Sequence, residues 1–286
     1  MLRHLVAFSF LLLAIGLKAQ FKYSGQWQGI IVKNESNWEN GNPIYLDFEI
    51  INNLLDGKCR FEAYSKEQFQ VYKIGGKLEE NRNLTINQKN IAKESVKSIN
   101  PCFLNFQLVY NLTTGYLEGT YDSKCPNEKG KIILYKSKFD FNEKPEPIQA
   151  HSWFDRFVND LKEGLSSPEQ RLVELRNFKF DPIYFDYDKY EIKAEYQDYL
   201  RKMIKMVKSH SDLRIKITGH TDSDGSDKYN NQLSKKRAQA LIRFFEINGL
   251  EKSRVVIDFK GEKQPTDSNK TPEGKQRNRR VDFSFI

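Results

Sequence analysis

Residues 213–249 read LRIKITGHTD SDGSDKYNNQ LSKKRAQALI RFFEING, and this stretch indicates the fold of the C-terminal part of the chain. Apolar and polar side chains alternate from Leu213 to Thr218, which predicts a strand with one buried face. From Asn230 onward the apolar residues recur at helical spacing until Gly249, a residue type that commonly ends helices. The stretch is therefore expected to be a strand, a polar loop and a long helix.

The sequence on either side of this stretch repeats the alternation of strands and helices. Apolar periodicity predicts one more helix and three more strands, over the ranges Ala194–Ser209, Ile183–Tyr187, Arg254–Lys260 and Val281–Ile286. Helices that pack on one face of a small mixed sheet form an α/β sandwich. We expect residues 181–286 to form one domain of this class.

Short motifs follow one another through this domain: Tyr187-Asp188-Lys189, Gly219-His220-Thr221-Asp222, Tyr229-Asn230-x-x-Leu233-Ser234-x-x-Arg237-Ala238, Gly261-Glu262-x-x-Pro265, Asn269-x-Thr271-x-x-Gly274 and Asn278-Arg279-Arg280-Val281. In order and spacing they resemble the OmpA-like domain family. The resemblance implies a periplasmic module that binds peptidoglycan in the envelope of a Gram-negative bacterium. One departure is Lys275, where the family most often has Arg.

The resemblance implies that Asp222 and Arg237 form the binding site. The diaminopimelate side chain of peptidoglycan presents an ammonium and a carboxylate on one carbon, so a selective site needs an acid and a base close together. Arg237 can hold the carboxylate by a two-pronged hydrogen bond, which Lys cannot copy. Asp222, in a loop that leaves it reachable, would pair with the ammonium. The alternative is an ordinary structural or surface ion pair.

The family pattern assigns supporting roles to six further residues. Thr221 and Asn230 would add hydrogen bonds, Leu233 an apolar wall, and Tyr187 and Asp188 a rim. Arg279 is a weaker candidate, because a structural role is the alternative there. No cofactor or metal is expected: the acidic loop from Asp222 lacks the Gly and the final acid of a calcium-binding EF-hand. His220 has no nucleophile motif beside it, so we interpret it as a packed or loop-fixing residue.

The N-terminal half has a different pattern. Alternating runs separated by turn residues recur about eight times in residues 20–141, which predicts an antiparallel β-domain, either a small barrel or a sandwich. Gly25-Gln26-Trp27 weakly resembles the opening of lipocalin-like barrels, in which a Trp closes one end. Together with the C-terminal domain this makes the chain an α+β protein. No catalytic constellation is visible in residues 20–141, which contain no His.

Three cysteines lie in the first half of the chain. Cys102 and Cys125 flank two alternating runs around a turn, so they would face each other at the base of a hairpin and can form a disulfide. Cys59 shares the apolar face of its strand, and we interpret it as a buried free thiol.

The first nineteen residues predict export. Basic Arg3, an apolar run and a small residue at Ala19 are typical of a signal peptide over residues 1–19; an uncleaved anchor is the alternative. Residues 142–180 follow the β-domain as a connector, with a Pro-containing linker at 143–147 and helices with an aromatic stripe. We therefore expect a periplasmic, outer-membrane-associated protein.

The 286 residues carry a formal net charge of +8, which is compatible with several classes of anionic partner. The basic residues are dispersed, and export removes access to nucleic acid, so no nucleic-acid partner is expected. The leading hypothesis is a non-catalytic cell-wall anchor that binds diaminopimelate-containing peptidoglycan. Its β-domain would bind an outer-membrane or periplasmic protein, or a small ligand. The alternative is a wall-targeted envelope enzyme with its activity in the β-domain.

Overall fold

The computed structural model describes residues 23–63, 68–79, 82–97, 100–141 and 152–286. The expected signal peptide and the Pro-containing linker at 143–147 lie outside these ranges. The chain divides into two compact units, Met1–Gln170 and Arg171–Ile286. Within the described ranges, no helix is both long enough and apolar enough to cross a membrane.

The first unit contains a closed antiparallel barrel of eight strands, each paired with the next and the last paired with the first. The strands are β1 Gly25–Lys33, β2 Asn42–Ile51, β3 Leu54–Ala63, β4 Gln68–Leu78, β5 Asn83–Glu94, β6 Leu104–Tyr110, β7 Leu117–Ser123 and β8 Gly130–Lys136, with a 3-10 turn at Trp38–Asn40. The predicted antiparallel β-domain is confirmed, and closure decides for the barrel over the sandwich. A closed barrel leaves no strand edge unpaired.

Alternation along the strands separates an inner face from an outer face. The inner side chains form one apolar core, which includes Trp27, Leu46, Phe48, Ile74, Phe106 and Leu134. Helix α1, Ser152–Lys162, covers the outer faces of β1 and β8: Phe154, Phe157 and Val158 pack with Ile30, Ile133 and Tyr135. The aromatic stripe of the connector therefore packs on the barrel. Each such side chain contributes roughly 2 kcal/mol through burial.

The structure joins Cys102 and Cys125 in a disulfide, with Cα atoms 6.0 Å apart. The two residues flank the hairpin of β6 and β7, whose register pairs Leu104 with Ser123. Cys59 is a free thiol on the inner face of β3, and its sulfur accepts a hydrogen bond from Gln88. Burial raises the pKa of the Cys59 thiol to about 12, so it is neutral at physiological pH.

The second unit is a four-stranded sheet with helices. After helix α2, Pro168–Asn177, the elements are β9 Ile183–Tyr184, a 3-10 turn at Ala194–Tyr196, α3 Gln197–Lys208, β10 Ile215–His220, α4 Asp227–Ile247, a 3-10 turn at Lys252–Arg254, β11 Val255–Gly261, α5 Pro272–Asn278 and β12 Arg280–Phe285. The strand order is β11-β10-β12-β9, with β10 and β11 parallel. The core lies between the sheet and α3 and α4, and includes Leu200, Met203, Ile217, Leu241, Phe245 and Val281.

The sequence-based elements of this unit are confirmed as a fold class, with two differences in detail. The first strand was expected over Ile183–Tyr187, but only two residues pair, because β9 lies at the sheet edge and pairs only with β12. Helix α5 was not predicted. Its start carries a recognisable signal, since the Thr271 side chain accepts a hydrogen bond from Gly274 N and Pro272 occupies the first turn.

We expect a titration of the mature protein with Ellman's reagent to count a different number of thiols under each of three conditions. The native protein should show no rapidly reacting thiol, because Cys59 is buried and neutral. The denatured, unreduced protein should show one thiol and the denatured, reduced protein three. A Cys59→Ser variant is the control, with zero thiols before reduction. Three free thiols in the denatured, unreduced protein would contradict the disulfide.

Candidate functional site

The loop that follows β10 and the start of α4 bring the sequence motifs of the second unit together. Ser226 caps α4, since its Oγ accepts a hydrogen bond from Tyr229 N. Gly219 in β10 allows α4 to approach closely, because a Cβ there would lie 2.2 Å from the Ser234 carbonyl oxygen. This close approach sets Arg237, about one turn further along α4, against the end of β10.

Arg237 is buried, with no exposed side-chain surface, and it is hydrogen-bonded to three backbone carbonyls of two segments, the loop after β9 and the end of β10. Its Nε donates to Lys189 O at 2.9 Å, its Nη1 to His220 O at 2.8 Å, and its Nη2 to Asp186 O at 3.3 Å. Burial lowers the pKa of Arg237 to about 10, against the opposing effect of the Asp222 charge. Arg237 is therefore still a cation at physiological pH.

Asp222 is 4% exposed and is held by a different arginine from the one expected. Its Oδ2 accepts a hydrogen bond from Arg279 Nη1 at 2.8 Å, and its Oδ1 is 3.4 Å from Asp224 N. Arg279 is itself anchored, because it also donates to Phe185 O and to the Gln276 side chain. Asp222 is thus much less reachable than its loop position suggested, since Arg279 covers one carboxylate oxygen.

Three buried polar atoms near Asp222 and Arg237 have no hydrogen-bond partner within the described part of the chain. They are His220 Nδ1, Thr221 Oγ1 and Asn230 Oδ1. An unpartnered buried polar atom costs about 1 to 3 kcal/mol, so a cluster of them is unusual in a purely structural region. Thr221 and Asn230 also share neighbours, since Thr221 N bonds Gly261 O and Asn230 Nδ2 bonds Glu262 at 2.5 Å.

The remaining predicted residues lie around this centre. Tyr187 is 63% exposed, and Asp188, an exposed residue with φ of 55°, accepts a hydrogen bond from the Tyr229 hydroxyl. Leu233 is buried in α4. His220 is buried, and its Nε2 lies 3.2 Å from Asp282 Oδ2 on the neighbouring strand β12.

Two contacts of the site were missed in the sequence. Lys275, noted only as a departure from the family pattern, forms an ion pair with Asp224 at 2.6 Å. Tyr229 was quoted as a motif residue but given no role. Its position three residues after the Ser226 cap was a usable signal, because that spacing places it in the first turn of a helix beside the loop.

Comparison with known proteins identifies the family of this domain. Residues 184–279 match the OmpA family. The chain is 34% identical over 103 residues to outer membrane protein A of Bordetella avium, covering 36% of this chain and 53% of that protein. It is 29% identical over 134 residues to the peptidoglycan-associated lipoprotein of Buchnera aphidicola, covering 45% and 76%.

A solved structure is also similar to part of this chain. The crystal structure of the peptidoglycan-associated lipoprotein from Burkholderia pseudomallei is 29% identical, covers 42% of this chain and 96% of that chain, and superposes with a TM-score of 0.37. The chain spans about half or less of the length of several curated relatives that it matches. The match to the family model identifies an OmpA family domain at residues 184–279.

We expect Arg237→Ala to lower the free energy of unfolding of the second unit by about 3 kcal/mol, because it leaves three carbonyl groups without their donor and opens a cavity in the core. Urea unfolding followed by circular dichroism at 222 nm reports mainly on the helices. Tryptophan fluorescence reports only on the first unit, since Trp27, Trp38 and Trp153 all lie there. Arg243→Ala, on an exposed face of α4, is the control and should change the value by less than about 0.5 kcal/mol. Equal stabilities for the two variants would contradict the anchoring role.

Proposed function

We propose, from the OmpA family domain at residues 184–279, that this protein is a non-catalytic anchor that binds peptidoglycan through the diaminopimelate of its stem peptide. The observation that carries the proposal is the constellation around Asp222. At one end of β10 lie an acid, a buried guanidinium and a cluster of polar atoms that have no partner among the described residues. The name of the Buchnera relative, a peptidoglycan-associated lipoprotein, supports the same ligand.

Arg237 would bind the carboxylate of the ligand. Its three bonds to backbone carbonyls use one N–H each from Nε, Nη1 and Nη2. A guanidinium has five N–H groups, so one remains on each terminal nitrogen. Two N–H groups on adjacent nitrogens are what a two-pronged bond to a carboxylate requires. The backbone bonds would hold the guanidinium in place before the ligand arrives.

Asp222 would bind the ammonium of the ligand. Its Oδ2 is bonded to Arg279, whereas its Oδ1 has only a long contact with a backbone N–H. Oδ1 therefore retains acceptor capacity for a cation. Arg279 acts as a positioning residue in this proposal, since its bonds to Phe185 and Gln276 fix the orientation of the acid. Thr221 Oγ1 and Asn230 Oδ1 would take up the remaining polar groups of the ligand.

Entry of the ligand requires a local rearrangement. Asp222 and Arg237 are 4% and 0% exposed, beneath Arg279 and the backbone of residues 186–189. The exposed Tyr187 and the Tyr229–Asp188 pair would form the rim through which the stem peptide enters. Leu233 would form an apolar wall for the ligand stem.

The same proposal gives each part of the chain a role in the cell envelope. Residues 1–19 would direct export, residues 181–286 would hold the wall from the periplasm, and the connector at 142–180 would join them to residues 20–141. That β-domain would bind an outer-membrane or periplasmic protein or a small ligand. The competing function, a wall-targeted enzyme with its activity in the β-domain, would be revealed by release of muropeptides from sacculi by the wild-type protein.

We expect the wild-type protein to co-sediment with purified diaminopimelate-type sacculi and Asp222→Asn to bind at least tenfold more weakly, because the neutral amide lacks the negative charge that attracts the ammonium. Arg237→Lys should also weaken binding, since Lys lacks the two-pronged donor. The matched control is Asp198→Asn, an exposed acid paired with Arg201 on the surface of α3. Retention of Asp222→Asn equal to that of the wild type, with unchanged circular dichroism, would eliminate the site.

The specificity for diaminopimelate can be tested separately with lysine-type sacculi. Lysine lacks the carboxylate that Arg237 would hold, so we expect binding to lysine-type sacculi to be at least tenfold weaker in the same sedimentation assay. Arg237→Lys should reduce this discrimination. Equal binding of the wild type to both sacculi would retain a wall-binding function and refute the assignment of Arg237 to the carboxylate.

A further inference from the structure

The two ends of the N-terminal barrel differ. At the end where β1 begins, Trp27 is 1% exposed, and its indole N–H donates to Tyr23 O at 2.7 Å. The rings of Tyr23 and Trp27 each lie 6.0 Å from that of Tyr110, in edge-to-face arrangements. Aromatic side chains therefore close this end.

At the opposite end of the barrel, the described residues line a cavity of about 460 Å³. This end, called the mouth below, is where β3 ends, β4 begins and β7 ends. Apolar inner-face side chains line its deeper part: Ile31, Phe61, Leu104 and Tyr121. The amides of Gln68 and Gln70 lie nearer to solvent, on the same face as Ala63 and Phe61 in the register of β3 and β4. Such a volume lies within the range of small-molecule sites.

The charged side chains that line the mouth are all neutralised within the described residues. Lys33 Nζ lies 2.5 Å from Glu128 Oε1, and Glu62 Oε1 lies 2.6 Å from Arg60 Nε. Burial and the Glu128 charge raise the pKa of the Tyr121 hydroxyl to about 12, so this group is neutral too. Among the described lining residues a charged ligand would find no unpaired opposite charge, and its desolvation would be uncompensated.

Aromatic rings continue from the mouth along its wall. The rings of Phe61 and Tyr72 are 6.0 Å apart, and those of Tyr72 and Phe103 are 5.9 Å apart, both edge-to-face. Phe103 is 37% exposed. It directly follows Cys102, so the disulfide to Cys125 holds this ring at the edge of the mouth. An exposed aromatic ring fixed beside a concave apolar surface favours binding of an apolar group.

We propose that the mouth of the barrel binds a small neutral amphiphile. Its apolar body would contact Ile31, Phe61 and Leu104, and its hydroxyl or amide group would hydrogen-bond with the Gln68 amide. This deepens the proposal that residues 20–141 bind a small ligand and identifies both the site and the chemical class. It is independent of wall binding, because the residues concerned are all in the first unit.

The test is a fluorescence titration of the full-length mature protein with 1-aminoanthracene, a neutral apolar probe with one polar group. We expect saturable binding with a stoichiometry of one. Gln68→Trp should fill the mouth and raise the dissociation constant at least tenfold, and Ala63→Trp should do the same. The matched control is Gln107→Trp, an exposed glutamine on the outer face of β6, which should bind like the wild type.

Two outcomes would overturn the proposal. The first is absence of saturable binding to the wild type, or equal binding by Gln68→Trp and Gln107→Trp. The second concerns ligand class: if the anionic probe 1-anilinonaphthalene-8-sulfonate binds more tightly than 1-aminoanthracene, the ligand is not neutral. Sedimentation with sacculi, repeated on Gln68→Trp, should be unchanged. Loss of probe binding with intact sedimentation therefore separates failure of this site from failure of the wall-binding proposal.

Discussion

The second unit depends on burial of one arginine. Removing a guanidinium from water costs several kcal/mol unless hydrogen bonds replace its hydration. Arg237 meets this requirement with three backbone carbonyls, from Asp186, Lys189 and His220. These carbonyls belong to the loop after β9 and to the end of β10, so the same bonds that solvate the cation fix both segments against α4. The site is thus built around a charge that the fold itself needs.

The acid of the site follows from this arrangement. Asp222 lies two residues after His220, whose carbonyl is bonded to Arg237, so its position is set by the end of β10. Its direct partner is Arg279, at the end of α5 and directly before β12, which is antiparallel to β10. Two arginines from different elements therefore face one carboxylate. One anchors the backbone and the other orients the acid, while Thr221 Oγ1 and Asn230 Oδ1 have no hydrogen-bond partner among the described residues.

The first unit is organised by the closure of its sheet into a barrel, whereas the second is organised around a buried charge. Eight strands that pair in a ring satisfy every strand edge, so the barrel needs no partner to complete its sheet. The inner face is packed with apolar side chains, and α1 covers part of the outer face. Packing is dense where Trp27 closes one end and gives way to a cavity at the other. The barrel thus combines a packed apolar core with a cavity at one end.

The sequence by itself determined the element types, the order of the motifs and the separation into a β-half and an α/β half. These features depend on local periodicity and on turn and cap residues, which act over a few positions. It also indicated the pairing of Cys102 with Cys125, because both residues are equidistant from one turn. Only the tertiary structure decided that the β-half closes into a barrel, that Asp222 is held by Arg279 and that Arg237 is buried among carbonyls. Contacts between residues such as Asp222 and Arg279, which are 57 positions apart, depend on how strands align in the sheet, and no local pattern encodes that alignment.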